Sequence, residues 1–303
     1  MSDTIAGLRR TIDSAGELQS VVRTMKAMAA SSIGQYEQSV RSLADYARTV
    51  ELGLGACFRT SEQGMSPVPA NSPRSTQSKP QVIGAVVFGS DQGLVGQFNE
   101  VIVEYASKTI AQMQGTSKVW AVGERADARL ADTGLPPIGL FSVPSSVKAI
   151  TPLIGEILVA AEELRSQGDA VELHLFYNRP MSAVVYEPVH QQLLPLDENW
   201  QRRLATAPWP TDRQPEVMGS RTATLRTLIR EYLFVSLFRA CAESLASENA
   251  SRLSAMQRAE KNIEELLEDL NGKFHRLRQS SIDEELFDVV SGFEALSEDA
   301  NAN

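Results

Sequence analysis

Apolar residues recur at three- and four-residue spacing at both ends of this chain and in short continuous runs in its middle. Near the C-terminus the seam is Leu225, Leu228, Tyr232, Val235, Phe238, Ala242, Leu245, Met256, Ile263, Leu266, Leu270, Phe274 and Leu277. The last proline is Pro215, and beyond Gly219 only Gly272 and Gly292 interrupt the run. The backbone can therefore keep its i→i−4 hydrogen bonds throughout, and the pattern predicts one helical arm over 222–296, on the order of 110 Å long. A second arm is predicted over 1–58. Its seam includes Ile5, Leu8, Ile12, Ala15, Val22, Met25, Ala29, Tyr36, Val40, Leu43, Ala47, Val50 and Leu54, and no proline precedes Pro67. Each seam asks for a partner helix. If the middle of the chain brings its own ends together, the two arms form an antiparallel coiled-coil shaft. The C-terminal arm is longer and overhangs by roughly 30–40 Å. Along that overhang Leu277, Ile282, Leu286, Phe287, Val289, Val290 and Phe293 point to several faces. Such a helix is normally buried, and another chain is the natural cover.

The middle reads differently. Residues 59–81 are polar, rich in proline and serine and without periodicity, which predicts a flexible linker. From 82 to 196 strands and helices alternate. Val82–Gly89 suits a strand buried on both faces. A helix is expected over 97–113, a strand over 118–122, a short helix over 124–132, a strand over 138–143, a helix over 150–166 and a strand over 170–177. Two more strands are expected at 181–187 and 190–194, separated by Pro188. The fold class is thus α/β plus a long antiparallel coiled coil, its middle a small, mostly parallel sheet domain. Residues 197–221 read as a connecting loop and 297–303 as a tail.

Charge and cysteine content narrow the function classes. The net charge is −9 and the pI is near 5.0, which argues against a basic nucleic-acid footprint. Cys57 and Cys241 have no metal or redox spacing and read as reduced thiols. No apolar run is long enough to cross a bilayer, and the N-terminus has no signal-peptide pattern.

Candidate chemistry is sparse. The turn Gly89-Ser-Asp-Gln-Gly-Leu-Val-Gly96 lies between a strand and a helix, where backbone N–H groups can cradle a phosphate. Its spacing matches neither the dinucleotide fingerprint nor a Walker motif, so a tight turn with close helix–sheet packing is the competing reading. Asp91 in that turn suits a metal or acid role, or it caps a helix or braces its own turn. His174, His190 and His275 are scattered and define no triad or metal cluster. The acidic run Glu260, Glu264, Glu265, Glu268 and Asp269 reads as a solvated helix face with i,i+4 partners. The residues give no catalytic, cofactor or metal site.

Four separated motifs resemble the gamma subunit of F-type ATP synthases over nearly the whole chain. The first is Val21-Val22-Arg23-Thr24-Met25-Lys26-Ala27-Met28-Ala29-Ala30-Ser31. The second is Ser90-Asp91-Gln92-Gly93-Leu94-Val95-Gly96-Gln97-Phe98-Asn99. The third is Tyr177-Asn178 with Gln191-Gln192-Leu193-Leu194-Pro195-Leu196. The fourth runs from Glu243-Ser244-Leu245-Ala246-Ser247-Glu248 through Arg252 and Met256 to Arg278-Gln279-Ser280-Ser281-Ile282 and Gly292. The chain departs from the family's usual residues at Ser32, Gln92, Asp283 and Phe293, and its linker is long. These traits resemble the alternate, sodium-linked N-type subfamily.

The resemblance implies a central rotor stalk with no catalytic residues of its own. The α/β domain is then a foot that binds no nucleotide. The shaft stands in a ring of alpha and beta ATPase subunits, with the epsilon subunit and a membrane ring of c subunits as further partners. Such a protein is peripheral, at the cytoplasmic face of a bacterial inner membrane. The residues implied to touch the alpha/beta ring are Arg23, Met25, Arg252, Arg278, Gln279, Ile282, Asp283, Leu286 and Val290. Among them, Met25 is expected opposite the region of Arg252, and Arg278 and Gln279 are expected as polar anchors of the overhanging tip. A coiled-coil scaffold and a nucleotide-binding protein using the 89–96 turn are the alternatives.

Overall fold

The structure is a computed structural model of the 303-residue chain. It describes residues 4–64, 82–166, 171–181, 185–211, 213 and 219–301, without the side chains of 60–64 and 292–301. Most of the expected linker, 65–81, and the end of the expected tail lie outside the described residues, as does the side chain of Phe293. Two helices are far longer than the rest: α1, Ile5–Gly64, and α6, Arg221–Asn301. The long arms expected from the absence of proline are thus present. The first is longer than expected, because residues 59–64 continue the helix. Between them come β1 Val82–Phe88, α2 Phe98–Ile110, β2 Thr116–Val122, α3 Glu124–Asp132, β3 Gly139–Phe141, α4 Val147–Ser166, β4 Val171–Pro180, β5 Tyr186–Leu194 and α5 Glu198–Thr206.

The chain forms two compact units. One comprises residues 1–28 with 253–303, the other residues 29–252. The larger unit holds a five-stranded sheet in the order β3-β2-β1-β4-β5. Its strands are parallel except β5, which runs antiparallel to β4. β1 lies at the centre and every residue of it is buried, as its unbroken apolar sequence demands. Its residues alternate between two cores. Val82, Val86 and Phe88 join Trp120, Leu175, Tyr177 and α4, and this core also receives Tyr36 of α1 and Leu237, Cys241 and Leu245 of α6. Ala85 and Val87 join Ile102 and Ala106 of α2, Ala126 and Leu130 of α3, and Phe176. The parts of α1 and α6 in this unit, with α4, therefore form one layer on the sheet, and α2 and α3 form the other.

Two expectations fail locally. Residues 186–194 form one strand, not two around Pro188. β5 is an edge strand, where a residue without an N–H is tolerated. Residues 198–206 of the expected loop are helical. Asp197 caps this helix by accepting from the N–H groups of Asn199 and Trp200, both at 3.1 Å. α5 packs across the end of α1 in this unit. Arg59 donates to the carbonyls of Ala205 and Ala207 at the helix C-terminus. A Cβ on Gly55 would lie 2.6 Å from the Leu204 carbonyl oxygen. Trp200 sits between Phe58 and Tyr232.

In the smaller unit α1 and α6 pair antiparallel. Gln19 and Arg23 reach Glu264, and Arg23 and Lys26 reach Glu260. The seam between them buries Leu8, Ala15, Met256 and Leu270.

Candidate functional site

The glycine-rich turn after β1 is closed by its own chain. The Ser90 N–H donates to Asn99 Oδ1 at 2.9 Å, and Asn99 Nδ2 returns a bond to Ser90 Oγ at 2.8 Å. The Gly89 N–H goes to the Val122 carbonyl, the Phe98 N–H to Val95 and the Arg125 N–H to Ser90. Asp91 takes the helix-cap role expected of it, not at its own turn but at the start of α3. One carboxylate oxygen accepts from the Glu124 N–H at the start of α3 at 3.1 Å, and the other from the Val143 N–H at 3.0 Å. A side-chain anion thus occupies the position at the N-terminus of α3 that an external anion would favour. Close packing explains the glycines. A Cβ on Gly89 would lie 2.4 Å from Ala126 Cβ, and one on Gly123, at φ +105°, would lie 2.7 Å from the Ser90 carbonyl.

The strongest motif of α6 lies against this turn and the end of β4. Ser247 Oγ donates to the Asn178 carbonyl at 3.0 Å, and Asn178 Nδ2 donates to the Phe98 carbonyl at 3.0 Å. One helical turn on, the Ser251 hydroxyl donates to the Val95 carbonyl. Glu243 is buried and holds Arg239 at 2.7 Å and Arg179 at 3.3 Å. Arg179 also donates to the Tyr177 hydroxyl at 3.0 Å. Burial pushes the Tyr177 phenol up. Three of the four motifs therefore converge on one joint between α6 and the sheet domain. Sequence reading located these residues but not what they bind, since their partners are separated by up to 156 positions.

Arg252 closes the same zone. Its guanidinium pairs with Glu248 at 2.7 Å, and only 13% of its side chain is exposed. Burial raises the Glu248 carboxyl while Arg252 lowers it. Tyr36 of α1 lies close enough for the charges of Glu248 and Arg252 to act on its phenol, which burial pushes up. Arg252 is thus placed first as an internal partner of Glu248.

The other residues implied to touch a partner lie in the smaller unit. Arg23 donates to Glu260 Oε1 at 2.9 Å and Lys26 donates to Oε2, so one carboxylate of α6 receives two bases of α1. Those bonds hold the Glu260 carboxyl below its usual range. The acidic face expected to pair within its own helix does so through Lys261–Glu265 and Lys273–Asp269. Glu260 and Glu264 instead bridge the two helices. Met25 is half-buried, and Leu18, Val21 and Met28 are exposed on the same stretch of α1.

At the far end, Leu8 of α1 lies against Lys273, Arg276, Leu277 and Ser280 of α6. Arg278 and Gln279 are exposed. So are Ile282, Asp283, Leu286, Phe287, Val289 and Val290, with Phe287 76% and Val289 70% exposed. A helix that shows large apolar side chains on several faces is built for a cover from outside the chain. No group of acidic, histidine or cysteine side chains among the described residues could hold a metal ion. No helix among them is long and apolar enough to cross a membrane.

A family model described as ATP synthase matches residues 4–296. The chain is 27% identical over 298 residues to the ATP synthase gamma chain of Moorella thermoacetica, covering 95% of this chain and 98% of that one. It is 29% identical over 301 residues to the ATP synthase gamma chain of Rhizorhabdus wittichii, covering 97% and 99%. Among solved structures, it is similar to a chain of the Euglena gracilis mitochondrial ATP synthase rotor. The TM-score is 0.61 at 15% identity, covering 92% of this chain and 98% of that one. For a chain of the Tetrahymena thermophila mitochondrial ATP synthase central stalk and c-ring, the TM-score is 0.55 at 21% identity, covering 79% and 99%. At these identities the structural likeness is one of fold.

Proposed function

The chain belongs to the ATP synthase gamma family, and we propose that it is the central rotor stalk of an F-type ATP synthase or ATPase. The observation that carries this reading is the end of α6. Leu286, Phe287, Val289 and Val290 are all exposed on one helix, with no cover from the described residues of the chain. A sleeve of alpha and beta subunits supplies that cover. A single shaft inside a threefold ring offers different contacts to each of three otherwise equal sites. That difference in contact free energy is what lets rotation and the state of each site drive one another. Catalysis of ATP synthesis or hydrolysis then belongs to the partner subunits.

Within this reading, Arg278 and Gln279 are the polar anchors of the tip, and Ile282, Leu286 and Val290 its apolar contacts. Arginine suits the desolvated edge of such a contact because its planar fork can hold a carboxylate through two bonds. Asp283, five residues after Arg278, is poorly spaced to pair with it along the helix and selects a basic partner instead. Arg23 and Met25 face a moving acidic loop of the beta subunit, and Arg252 contributes through the edge its pair with Glu248 leaves open. The sheet domain is the foot that meets the epsilon subunit and the c ring. The assembly sits at the cytoplasmic face of a bacterial inner membrane. Asp283, Phe293 and the long 59–81 segment support the reading of a sodium-linked, N-type complex.

Affinity capture of the native complex tests the reading. Alpha and beta ATPase subunits co-purifying in stoichiometric amounts is the expected result. A chain recovered alone, or with other partners only, sinks it and leaves the scaffold reading. Against nucleotide binding at the 89–96 turn, the N–H groups of Gly89 and Ser90 are engaged within the chain, and the start of α3 beside the turn is taken by Asp91.

A further inference from the structure

The pairing of the edge strand β5 with β4 carries a feature unrelated to the joint with α6. His174 of β4 and His190 of β5 point their ring nitrogens at one another, with Nδ1 and Nε2 2.8 Å apart. The ring centroids are 5.0 Å apart and the planes differ by 26°. For a nitrogen separation this short, that geometry describes two rings meeting edge to edge in a shared hydrogen bond. On its other side His174 Nε2 lies 3.0 Å from Glu172 Oε2. His190 stacks face to face on Phe176, at 4.9 Å and 17°. His174 is 2% exposed. The row lies beside the irregularity in the β4–β5 ladder, between Leu173 and His174. There the regular main-chain bonding of the edge strand is interrupted, and side chains have more to hold.

We propose that Glu172, His174 and His190 form a proton-sharing clasp that holds β5 on the sheet near neutral pH and loosens it in acid. The proton inventory is explicit. With Glu172 ionised, His174 Nε2–H donates to the carboxylate. The bond between the rings then needs one hydrogen, carried either by His190 Nε2 or by His174 Nδ1. The pair thus accepts one excess proton, forming an imidazolium between a carboxylate and a neutral imidazole. A second proton places two N–H donors against each other at 2.8 Å and replaces the bond with repulsion between two cations.

Among the described residues, the neighbouring elements do not offset that repulsion. β1, which pairs with His174 through Ala85, has no titratable residue in its sequence. α2 places Tyr105 against Phe176 and spends Glu104 and Lys108 on each other in solvent. On β5 the residue opposite His174 is the uncharged Gln192, which donates to the Pro195 carbonyl. Among the described residues, Glu172 is the carboxylate bonded to the pair, through His174 Nε2. Burial first, and the charge of His174 second, hold the His190 imidazole below its ordinary range. The folded chain therefore binds fewer protons there than the unfolded chain. The clasp is intact above the ordinary histidine range of about 6.5, and its contribution falls away as pH drops through that range towards the lower folded value.

Hydrogen exchange by mass spectrometry on the full-length chain reads this directly. Peptides covering β5 are compared with peptides covering β1 at pH 7 and pH 5, after correction for intrinsic exchange. Protection of β5 is expected to fall roughly tenfold more than that of β1, the change that one pH unit of linked protonation produces. In His190→Phe, which keeps the stack on Phe176, the extra fall disappears. Equal behaviour of β5 and β1 in the natural chain, or an extra fall that survives in His190→Phe, overturns the clasp. If that variant does not fold, imidazole nitrogen shifts decide on the unaltered chain, which has three histidines. A ring of the pair that stays neutral and hydrogen-bonded well below pH 6.5 supports the proposal. Full protonation of both rings by that pH contradicts it.

Discussion

Ser247 of α6 donates its hydroxyl to the main-chain carbonyl of Asn178 at 3.0 Å, and both residues are fully buried. Asn178 stands near the end of β4, and its side chain in turn holds the Phe98 carbonyl at the start of α2. Ser251, one turn along the same helix face, takes the Val95 carbonyl of the glycine-rich turn. Two serines spaced i,i+4 thus fasten a long helix to two separate features of the sheet domain. The exchange of small hydroxyls for backbone carbonyls explains why serine, and not a larger polar residue, sits at each point. The helix backbone can approach closely while each buried carbonyl finds a donor.

Removing the Ser247 hydroxyl leaves that buried carbonyl without its donor. Ser247→Ala is expected to lower the stability of the full-length chain by roughly 1–3 kcal/mol. Urea denaturation checks the value. A change near zero means that the helix is held by its apolar contacts alone.

The Glu248–Arg252 pair behaves differently, because both partners are charged and little exposed. Arg252→Met alone strands a buried carboxylate and costs about 3–5 kcal/mol at neutral pH. Adding Glu248→Leu recovers most of that loss. The single variant should also regain stability as pH falls. Burial holds the Glu248 carboxyl above its usual range, so the folded state takes up a proton before the unfolded state does. Denaturation midpoints at neutral and mildly acidic pH measure both effects. A double variant no more stable than Arg252→Met removes the argument.

Much of the fold was legible because single strong signals carried it. The absence of proline before Pro67 and after Pro215 marked the two long helices, and the unbroken apolar run of β1 marked a strand buried on both faces. α5 was not legible. It has nine residues, and Pro208, Pro210 and Pro215 just beyond it dominate the local composition. Its reason for being helical lies elsewhere, in the Asp197 cap and in the contacts that Arg59 and Phe58 bring from α1. β5 was split in reading because Pro188 breaks a central strand, whereas at a sheet edge it does not. The exposed tip of α6 was legible, since its apolar residues follow no single stripe. The role of Glu243, Ser247 and Ser251 was not, because periodicity shows that a face is special without showing what it meets. The histidine row escaped for the same reason. His174 and His190 are 16 positions apart and meet only through the antiparallel pairing of β4 with β5.

Glu260 draws Arg23 and Lys26 of the opposite helix onto one carboxylate. Hydrogen bonds from Lys26 and then Arg23 hold that carboxyl below its usual range. The sign follows: the stabilisation is present above the ordinary carboxylate range and is lost as pH falls through the lower folded value. Glu260→Gln should therefore differ from the natural chain at neutral pH and converge with it in acid. The difference should also shrink at about 1 M salt, where the Debye length is roughly 3 Å. Thermal melts across pH and salt measure it. A difference independent of both assigns Glu260 to packing and not to charge.

The central claim is that this chain turns inside a ring of alpha and beta subunits and makes their sites differ. Single-molecule rotation tests it most directly. The alpha/beta assembly is fixed to a surface, and a bead is attached to the exposed surface of the sheet domain of this chain. ATP should drive the bead in one direction with three pauses per turn, one for each catalytic site. The same assembly truncated before Ser281 should lose torque, because the apolar tip no longer engages the sleeve. A bead that only fluctuates about a fixed angle while the assembly hydrolyses ATP contradicts the account.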